Sequence, residues 1–192
     1  PDLKPETVQS WDLIWVGRWT DTDISAGYFE NHFENSIIQA ASGGTRIYDN
    51  VDQDPSKGFE LELAHELNRH WLLRATYTHF SELPELSFRE ATRLASLMIN
   101  YQQESWNANL IASYHDERET PTGGSNDNRI SLDDYTHVSG KLRYFFTPKW
   151  EGFIEAKNLF DKNHETPASG LSLTEGIANR GREFLVGAIW RF

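Results

Sequence analysis

Hydrophobic and polar residues alternate along most of this chain with a period of two. The final segment shows the alternation plainly, because every second residue back from the terminus is apolar: Phe192, Trp190, Ala188, Val186 and Phe184. The same alternation runs through residues 106–114 and 138–146. A period of two places successive side chains on opposite faces of a β-strand. The pattern therefore predicts strands that each have one apolar face.

The alternation predicts about nine strands in the chain. They lie near residues 7–19, 24–40, 58–67, 71–80, 91–101, 106–116, 134–146, 150–160 and 183–192. No apolar run approaches the ~20 residues that a membrane-spanning helix needs, and mean hydropathy is only −0.62. The sequence therefore predicts an all-β, antiparallel protein and excludes a helical membrane protein.

The links between the predicted strands are alternately short and long. The short links are near 20–23, 68–70, 102–105 and 147–149, and the long links are near 42–57, 81–90, 117–133 and 161–181. The long links are rich in Gly, Asn, Asp, Pro and Ser, which favour turns and loops. Transmembrane barrels have short periplasmic turns and long extracellular loops, so this order is typical of an up-and-down barrel.

The aromatic residues are sorted in the same way as the links. All seven tryptophans fall on the apolar side of predicted strands. One belt lies beside the short links and consists of Trp19, Trp71, Tyr101, Trp106, Phe146, Trp150, Trp190 and Phe192. A second belt is indicated by Trp11, Tyr77, Tyr114 and Phe184. Two aromatic girdles are typical of a transmembrane β-barrel, whereas a soluble sandwich or lipocalin explains the alternation but not the sorting.

Charge and composition narrow the possible partners. The chain carries a formal net charge of −11, which argues against nucleic acid as a partner because nucleic acid attracts basic surfaces. It contains no cysteine, so no disulfide is expected, and this says little about the compartment. Aromatic content of 13% is high for a soluble domain and agrees with a lipid-facing surface.

Four basic residues fall on the polar side of the predicted strands: Arg74, Lys141, Arg143 and Arg191. A basic side chain that faces lipid at the bilayer midplane costs ~2–4 kcal/mol, so the sequence predicts that these residues face the barrel lumen. Two roles remain open for them, namely ion pairing or the steering of an anionic solute. The carboxylates expected to pair with them are Glu60, Glu62, Glu151 and Glu155.

Four polar clusters contain residue types that occur in catalytic or metal sites. Residues 65–70, His-Glu-Leu-Asn-Arg-His, have one residue too many for a zinc-protease motif, which needs both histidines on one helical face. Residues 49–54 are rich in Asp but lack the glycine and terminal glutamate of a calcium loop, which favours a solvated loop and leaves a calcium contact as the alternative. Residues 31–35 and 115–119 are interpreted as solvated surface or as ligand contacts. The sequence therefore predicts no catalytic residue, no metal site and no cofactor.

Four motifs, in order along the chain, resemble those of TonB-dependent outer-membrane receptors. Residues 1–6, Pro-Asp-Leu-Lys-Pro-Glu, are similar to the family's Asn-Pro-x-Leu-Lys-Pro-Glu motif, and residues 57–62 to its Gly-φ-Glu strand opening. Residues 156–162 contain the Asn-Leu-Phe-Asp-Lys motif of the penultimate strand. Residues 180–182 resemble Pro-Gly-Arg, with Arg180 in place of proline.

The resemblance implies the last nine strands of a 22-stranded barrel in the outer membrane of a Gram-negative bacterium. Residues 1–192 would be a C-terminal segment, with a signal peptide and an N-terminal plug domain encoded upstream. The complete protein would import a scarce solute, such as a ferric siderophore or cobalamin, with energy from the TonB complex. Solute contacts would lie in the plug and the long loops. The terminal strand resembles those whose final aromatic residue, here Phe192 with Trp190, signals to the barrel-assembly machinery.

Two alternatives remain open. A passive porin or small stand-alone outer-membrane barrel would need an even number of strands and its own signal peptide. A soluble β-sandwich that binds a ligand would place the tryptophans in a core rather than in belts. Reading the gene upstream of Pro1 separates the first alternative from the receptor, and dependence on detergent separates the second.

Overall fold

The computed structural model describes residues 3–42, 45–123, 125–168 and 176–192. These residues form 13 β-strands and one 3₁₀ turn, Glu85–Ser87. The strands are β1 Thr7–Arg18, β2 Thr22–Ser42, β3 Thr45–Asn68, β4 Trp71–Glu82, β5 Arg93–Gln102, β6 Trp106–His115, β7 Arg118–Thr122, β8 Ser125–Leu132, β9 Tyr135–Thr147, β10 Trp150–Lys157, β11 Glu165–Thr166, β12 Ile177–Ala178 and β13 Glu183–Trp190. No helix in the described ranges is long and apolar enough to cross a membrane.

Nine of these strands form one antiparallel sheet in the order β1-β2-β3-β4-β5-β6-β9-β10-β13. The predicted all-β antiparallel class is therefore confirmed. The sheet is open, because β1 and β13 lie at its two edges and do not pair with each other in the described part of the chain. An open sheet rather than a small closed barrel is what the count of nine strands predicts.

The predicted long link at 42–57 is wrong. Strands β2 and β3 continue through this region as a hairpin that stays paired from Ser36↔Val51 to Ser42↔Thr45. The prediction relied on the Asp-rich and Pro-containing composition, but β-branched and aromatic residues alternate there too and favour extended backbone. At the base of this extension the pairing shifts register on both sides of Phe33, and Asn35 has a positive φ of 56°, as expected at a β-bulge.

The other long links are only partly irregular. The link predicted at 117–133 contains the hairpin of β7 and β8, so its description as a loop is wrong. The link at 81–90 contains the 3₁₀ turn. Within 161–181, β11 and β12 pair over two residues, and residues 169–175 lie outside the described residues. The shorter links agree with the tight turns that join β1 to β2, β3 to β4, β5 to β6 and β9 to β10.

Candidate functional site: lumen wall and loop assembly

The register of the sheet sorts side chains onto an apolar face and a polar face. One row across six strands is almost wholly apolar and runs through Trp15, Ala26, Leu61, Tyr77, Ala95 and Tyr114. The adjacent row is almost wholly polar and runs through Val16, Ser25, Glu62, Thr76, Ser96, Ser113 and His137. Adjacent rows point to opposite sides of a sheet. The alternation in the sequence therefore produces two chemically distinct surfaces.

Aromatic rings on the apolar face form contacts at two levels. Beside the short turns, the ring centroids of Trp71 and Tyr101 are 4.8 Å apart, and those of Trp150 and Trp190 are also 4.8 Å apart. Trp106 and Tyr144 make a third pair at 4.5 Å. Toward the long links, Trp11, Tyr28 and Phe59 form a chain with centroid spacings of 5.2 and 5.1 Å. Phe192 follows β13 and is fully exposed.

A network of ion pairs ties three strands together on the polar face. The Glu151 carboxylate on β10 lies 2.7 Å from Arg143 Nη2 on β9 and 3.1 Å from Arg191 Nη1 after β13. Glu151 is only 1% exposed. Lys141 Nζ lies 3.0 Å from a carboxylate oxygen of Glu155. The two arginines compensate the desolvation of the buried carboxylate, as a buried charge requires.

Arg74 is placed differently from the other three basic residues of the predicted row. It also lies on the polar face, where it is paired in register with Ala64 and Met98. In the described residues it makes no ion pair with a carboxylate, and neither do Glu60 and Glu62. The expected partners of Lys141, Arg143 and Arg191 are present, whereas Arg74 is available for other contacts.

Three of the long links meet in one structure, here called the loop assembly: residues 82–92, 116–134 and 158–168. Its first junction is the Phe88 ring, which two guanidinium groups contact. The guanidinium carbons of Arg89 and Arg129 are 4.4 and 4.0 Å from the ring centroid. Arg129 also pairs with Glu119 at 3.3 Å and with Glu85 at 3.6 Å. The Arg129 contact joins residues 116–134 to Phe88 of residues 82–92 through a cation–π interaction.

The third link is attached by backbone hydrogen bonds around Ala168. The Ala168 amide donates to Thr120 Oγ1 at 2.9 Å, and both residues are fully buried. The Arg89 Nε group donates to the Ala168 carbonyl oxygen, also at 2.9 Å. The Glu119 amide donates to the carbonyl oxygen of Phe88 at 3.1 Å. The three links therefore support one another.

An imidazole cluster, defined as His115, Tyr135, His137 and His164, lies where the loop assembly meets the polar face. The rings of His115 and Tyr135 are nearly parallel with centroids 4.9 Å apart, and His164 stacks on Tyr135 at 4.2 Å. The His137 ring meets His164 edge-on at 5.9 Å. The Arg118 guanidinium lies 5.2 Å from the Tyr135 ring centroid. The sequence interpretation of residues 115–119 as a solvated cluster missed this arrangement.

A buried carboxylate closes the end of the β5–β6 hairpin. Asp116 accepts hydrogen bonds from Arg93 Nε at 2.7 Å, Thr92 Oγ1 at 2.8 Å and the Tyr114 hydroxyl at 3.1 Å. The Arg93 guanidinium holds the pKa of Asp116 well below its usual range, and the other donors act in the same direction. Asp116 lines an open cleft of about 540 Å³ between residues 83–93 and 116–131.

Two of the sequence motifs form a base clamp, defined as residues 158–162 with 180–182. The buried Asn158 amide donates to the carbonyl oxygens of Lys162 and Arg180, at 2.9 and 3.4 Å. The Asp161 carboxylate accepts from the Arg182 amide at 2.7 Å. Asn158 and Asp161 have positive φ values of 49° and 53°, which Asn and Asp tolerate better than most residues. The clamp joins both ends of the last long link.

The remaining polar motifs do not converge into a site. His65 Nδ1 lies 2.7 Å from Thr22 Oγ1, whereas His70 Nδ1 lies 2.8 Å from the Gln102 carbonyl oxygen. Residues 49–54 belong to β3 rather than to a solvated loop, which corrects that prediction. The described residues contain no group of three or more His, Cys, Asp or Glu side chains arranged to hold a metal ion.

Comparison with known proteins gives the family. The domain described as "TonB dependent receptor-like, beta-barrel" matches residues 1–159. Among curated proteins, the ferripyoverdine receptor of Pseudomonas aeruginosa is 24% identical over an alignment that covers 85% of this chain. That alignment covers 23% of the relative, so the chain spans about a quarter of its length.

Solved structures agree with the fold. The pyoverdine outer membrane receptor FpvA of P. aeruginosa matches 99% of this chain and 30% of its own, with a TM-score of 0.82 and 23% identity. The ferric enterobactin receptor of P. aeruginosa matches 99% of this chain and 32% of its own, with a TM-score of 0.79 and 18% identity. The resemblance seen in the four motifs is thereby confirmed. The chain belongs to the TonB-dependent receptor β-barrel family, whose members are outer-membrane proteins of Gram-negative bacteria.

Proposed function

We propose that this chain forms part of the wall and mouth of a receptor that imports a scarce solute, with a ferric siderophore as the first candidate. The observation that carries the proposal is the loop assembly over a polar sheet face, in a chain of this family. One curated relative is a ferripyoverdine receptor, and one similar solved structure is a ferric enterobactin receptor. The proposal concerns the whole protein, of which residues 1–192 form one part.

The two faces of the sheet would have different surroundings in such a receptor. The apolar face and its aromatic belts would contact outer-membrane lipid, and the polar face would line the lumen. A 22-stranded barrel leaves an aqueous passage unless a plug fills it. Arg74, Lys141 and Arg143 would then face the plug or the passing solute. Arg74 is the strongest candidate for such a contact, because the other two already have carboxylate partners.

The proposal includes partners outside this chain and excludes catalysis. A plug domain in the same protein would close the lumen, and the TonB complex would supply energy through the N-terminal region. The barrel-assembly machinery would recognise the terminal strand through Phe192. The receptor would bind its small-molecule ligand without a cofactor, without covalent chemistry and without nucleic acid.

Uptake by cells tests the proposal. We expect deletion of the full-length gene to abolish energy-dependent uptake of at least one radiolabelled ferric siderophore, with ferric pyoverdine tried first, and the intact gene to restore it. An uncoupler of the proton-motive force should stop this uptake. Uptake that continues with the uncoupler would favour a passive pore. Unchanged uptake of every ferric siderophore in the deletion strain would overturn the assignment of siderophore as solute.

A matched pair of variants tests the role of the loop assembly. Arg129→Gln removes a guanidinium that joins Phe88 to Glu119, and we expect it to weaken siderophore binding several-fold. Arg69→Gln changes an exposed arginine in the β3–β4 turn at the opposite end of the sheet, and it should leave binding unchanged. Equal effects of both variants would contradict a solute-binding role for the loop assembly.

A further inference from the structure

We infer that residues 159–168, here called the strap, are held over the polar face by a latch that opens when the medium is acidified. The latch is the imidazole cluster, in which His164 belongs to the strap and the other three residues belong to β6 and β9. The inference deepens the proposed function and rests on it, because the strap would cover part of the solute-binding mouth.

Ring contacts hold the middle of the strap. His164 stacks on Tyr135 with an interplanar angle of 24°. It also makes an edge-on contact with His137, so two residues of β9 hold it. His115 stacks on Tyr135 at 8° and fixes the orientation of that ring. His115, Tyr135 and His137 are all in polar-face rows. The strap therefore lies on the lumen side of β6 and β9 at the loop end.

The charges around the cluster oppose protonation. Arg118 from β7 lies over Tyr135 and donates from Nη2 to the Glu165 carbonyl oxygen at 2.8 Å. In the described residues, none of the three histidines of the cluster makes an ion pair with a carboxylate. A proton on His115 or His164 therefore places a positive charge on a ring that stacks on Tyr135, whose ring the Arg118 guanidinium also contacts. Like charges at this separation repel each other.

The remaining charged groups near His164 are exposed. On the strap itself these are Lys162, whose carbonyl oxygen lies 3.3 Å from His164 Nδ1, and Glu165. From the β8–β9 link, Asp133 lines an open cleft together with His164 and Glu165. Asp116, next to His115, is already bonded to Arg93. The exposed carboxylates are screened by water, so they compensate a positive charge on the cluster only weakly.

A second observation indicates that the closed latch is finely balanced. Arg118 Nε is buried and has no hydrogen-bond partner among the residues that the structure describes. A buried donor without a partner costs free energy that is recovered when water reaches it. Movement of the strap away from Arg118 would satisfy this donor. The free energy of the closed state therefore already includes the cost of one unsatisfied donor. Protonation of the cluster adds a second unfavourable contribution at the same place.

The direction of the switch follows from the ordinary behaviour of histidine. Histidine side chains change charge in the acidic to neutral range and become positive on acidification, so the latch is closed at neutral pH and opens as the pH falls. The strap is held at one end by the base clamp and at the other by Ala168. Release therefore moves its middle, residues 163–167, together with β12, which is paired with β11, and uncovers the polar face at the mouth.

Distances between spin labels test the latch in the full-length receptor in detergent. This chain contains no cysteine, so labels at N163C on the strap and N109C on the polar face of β6 report on the chosen positions once any cysteines elsewhere in the protein are replaced. We expect one short distance at pH 7.5. At pH 5.0 a longer-distance population should become the major one.

Variants identify the cluster as the cause. His164→Phe retains an aromatic ring but cannot gain a proton, so the short distance should persist at pH 5.0. His137→Phe, if His164→Phe fails to fold, should move the opening to lower pH. His32→Phe is the matched control, because His32 pairs with Glu30 outside the cluster, and it should keep the parent response. A short distance at both pH values in the parent, or an unchanged response in the cluster variants, would overturn the latch.

The uptake assay separates failure of the latch from failure of the proposed function. An intact pH response in a receptor whose deletion changes no solute uptake would contradict the function and leave the latch standing. Normal siderophore uptake with no pH response would contradict the latch alone.

Discussion

At most positions the polarity of a residue predicts which face of the sheet its side chain occupies. Alternation in the sequence placed Leu110 and Leu142 on the apolar face and Asn109 and Ser139 on the polar face, and the register agrees. The alternation is imperfect, because a few aliphatic residues such as Ile14 also lie on the polar face. Polarity alone therefore predicts the face for most positions, but the neighbouring strands are needed to settle the exceptions.

Lysine substitutions test the assignment of the two faces. Leu110→Lys or Leu142→Lys should destabilise the full-length barrel by ~2–4 kcal/mol, because a charge at mid-strand would face lipid. Asn109→Lys and Ser139→Lys are the matched controls and should cost much less. Urea unfolding in lipid vesicles measures the difference. Equal sensitivity at both faces would contradict the assignment of lumen and lipid.

Glu151 offers a second prediction at the residue scale. Glu151→Gln should destabilise the barrel, because two arginines lose their common charged partner, and their partial exposure limits the loss. Glu155→Gln is the control and should cost less, since its partner Lys141 is more exposed than Arg143. The same unfolding assay compares them, and a larger loss from Glu155→Gln would contradict the ranking.

Asp116 gives a prediction about pH. Its pKa is lowered in the folded protein, chiefly by Arg93, so its contribution to stability is complete above the ordinary aspartate pKa of about 3.9. The contribution should decline as the pH falls below about 4. Asp116→Asn should be less stable than the parent at pH 7, and the difference should shrink toward pH 3. Melting temperatures across this range measure it, and a constant difference would contradict the assignment.

Whole elements were predictable where periodicity was strong and unpredictable where contacts were distant. The strands of the main sheet follow from alternation and turn residues. The β2–β3 extension and the β7–β8 hairpin were missed because Asp, Asn, Gly and Pro favour turns locally, whereas backbone pairing overrides that preference. The imidazole cluster brings together His115 and His164. Their proximity depends on the fold and left no periodic signal in the sequence.

The terminal strand carries a prediction about assembly. Deleting Phe192 from the full-length protein should lower its outer-membrane level several-fold, since the resemblance makes this residue the recognition signal for insertion. Heat-modifiable mobility on gels reports the folded fraction. Deleting one residue from the tip of an exposed loop serves as the control for general damage. Unchanged folded levels without Phe192 would remove it from that role.

The open sheet has a consequence for the molecule as a whole. The edges at β1 and β13 carry backbone groups without strand partners, and each unsatisfied group costs several kcal/mol in hydrocarbon. The 192-residue chain expressed alone should therefore aggregate, and in detergent it should transport nothing. Size-exclusion chromatography measures the first expectation and liposome flux the second. A monomeric, protease-resistant product would favour the small-barrel alternative.

The base clamp has a further consequence for how such proteins diversify. Asn158 and Asp161 at one end of the last long link are hydrogen-bonded to Arg180 and Arg182 at its other end. The part of the link between these two ends can therefore change length without disturbing the pairing of β10 with β13. Each doubling of a flexible loop costs only about 0.6 kcal/mol of closure entropy. Insertions and exchanges between the two halves of the clamp should therefore cost little stability. This link can then change in sequence while the main sheet stays the same.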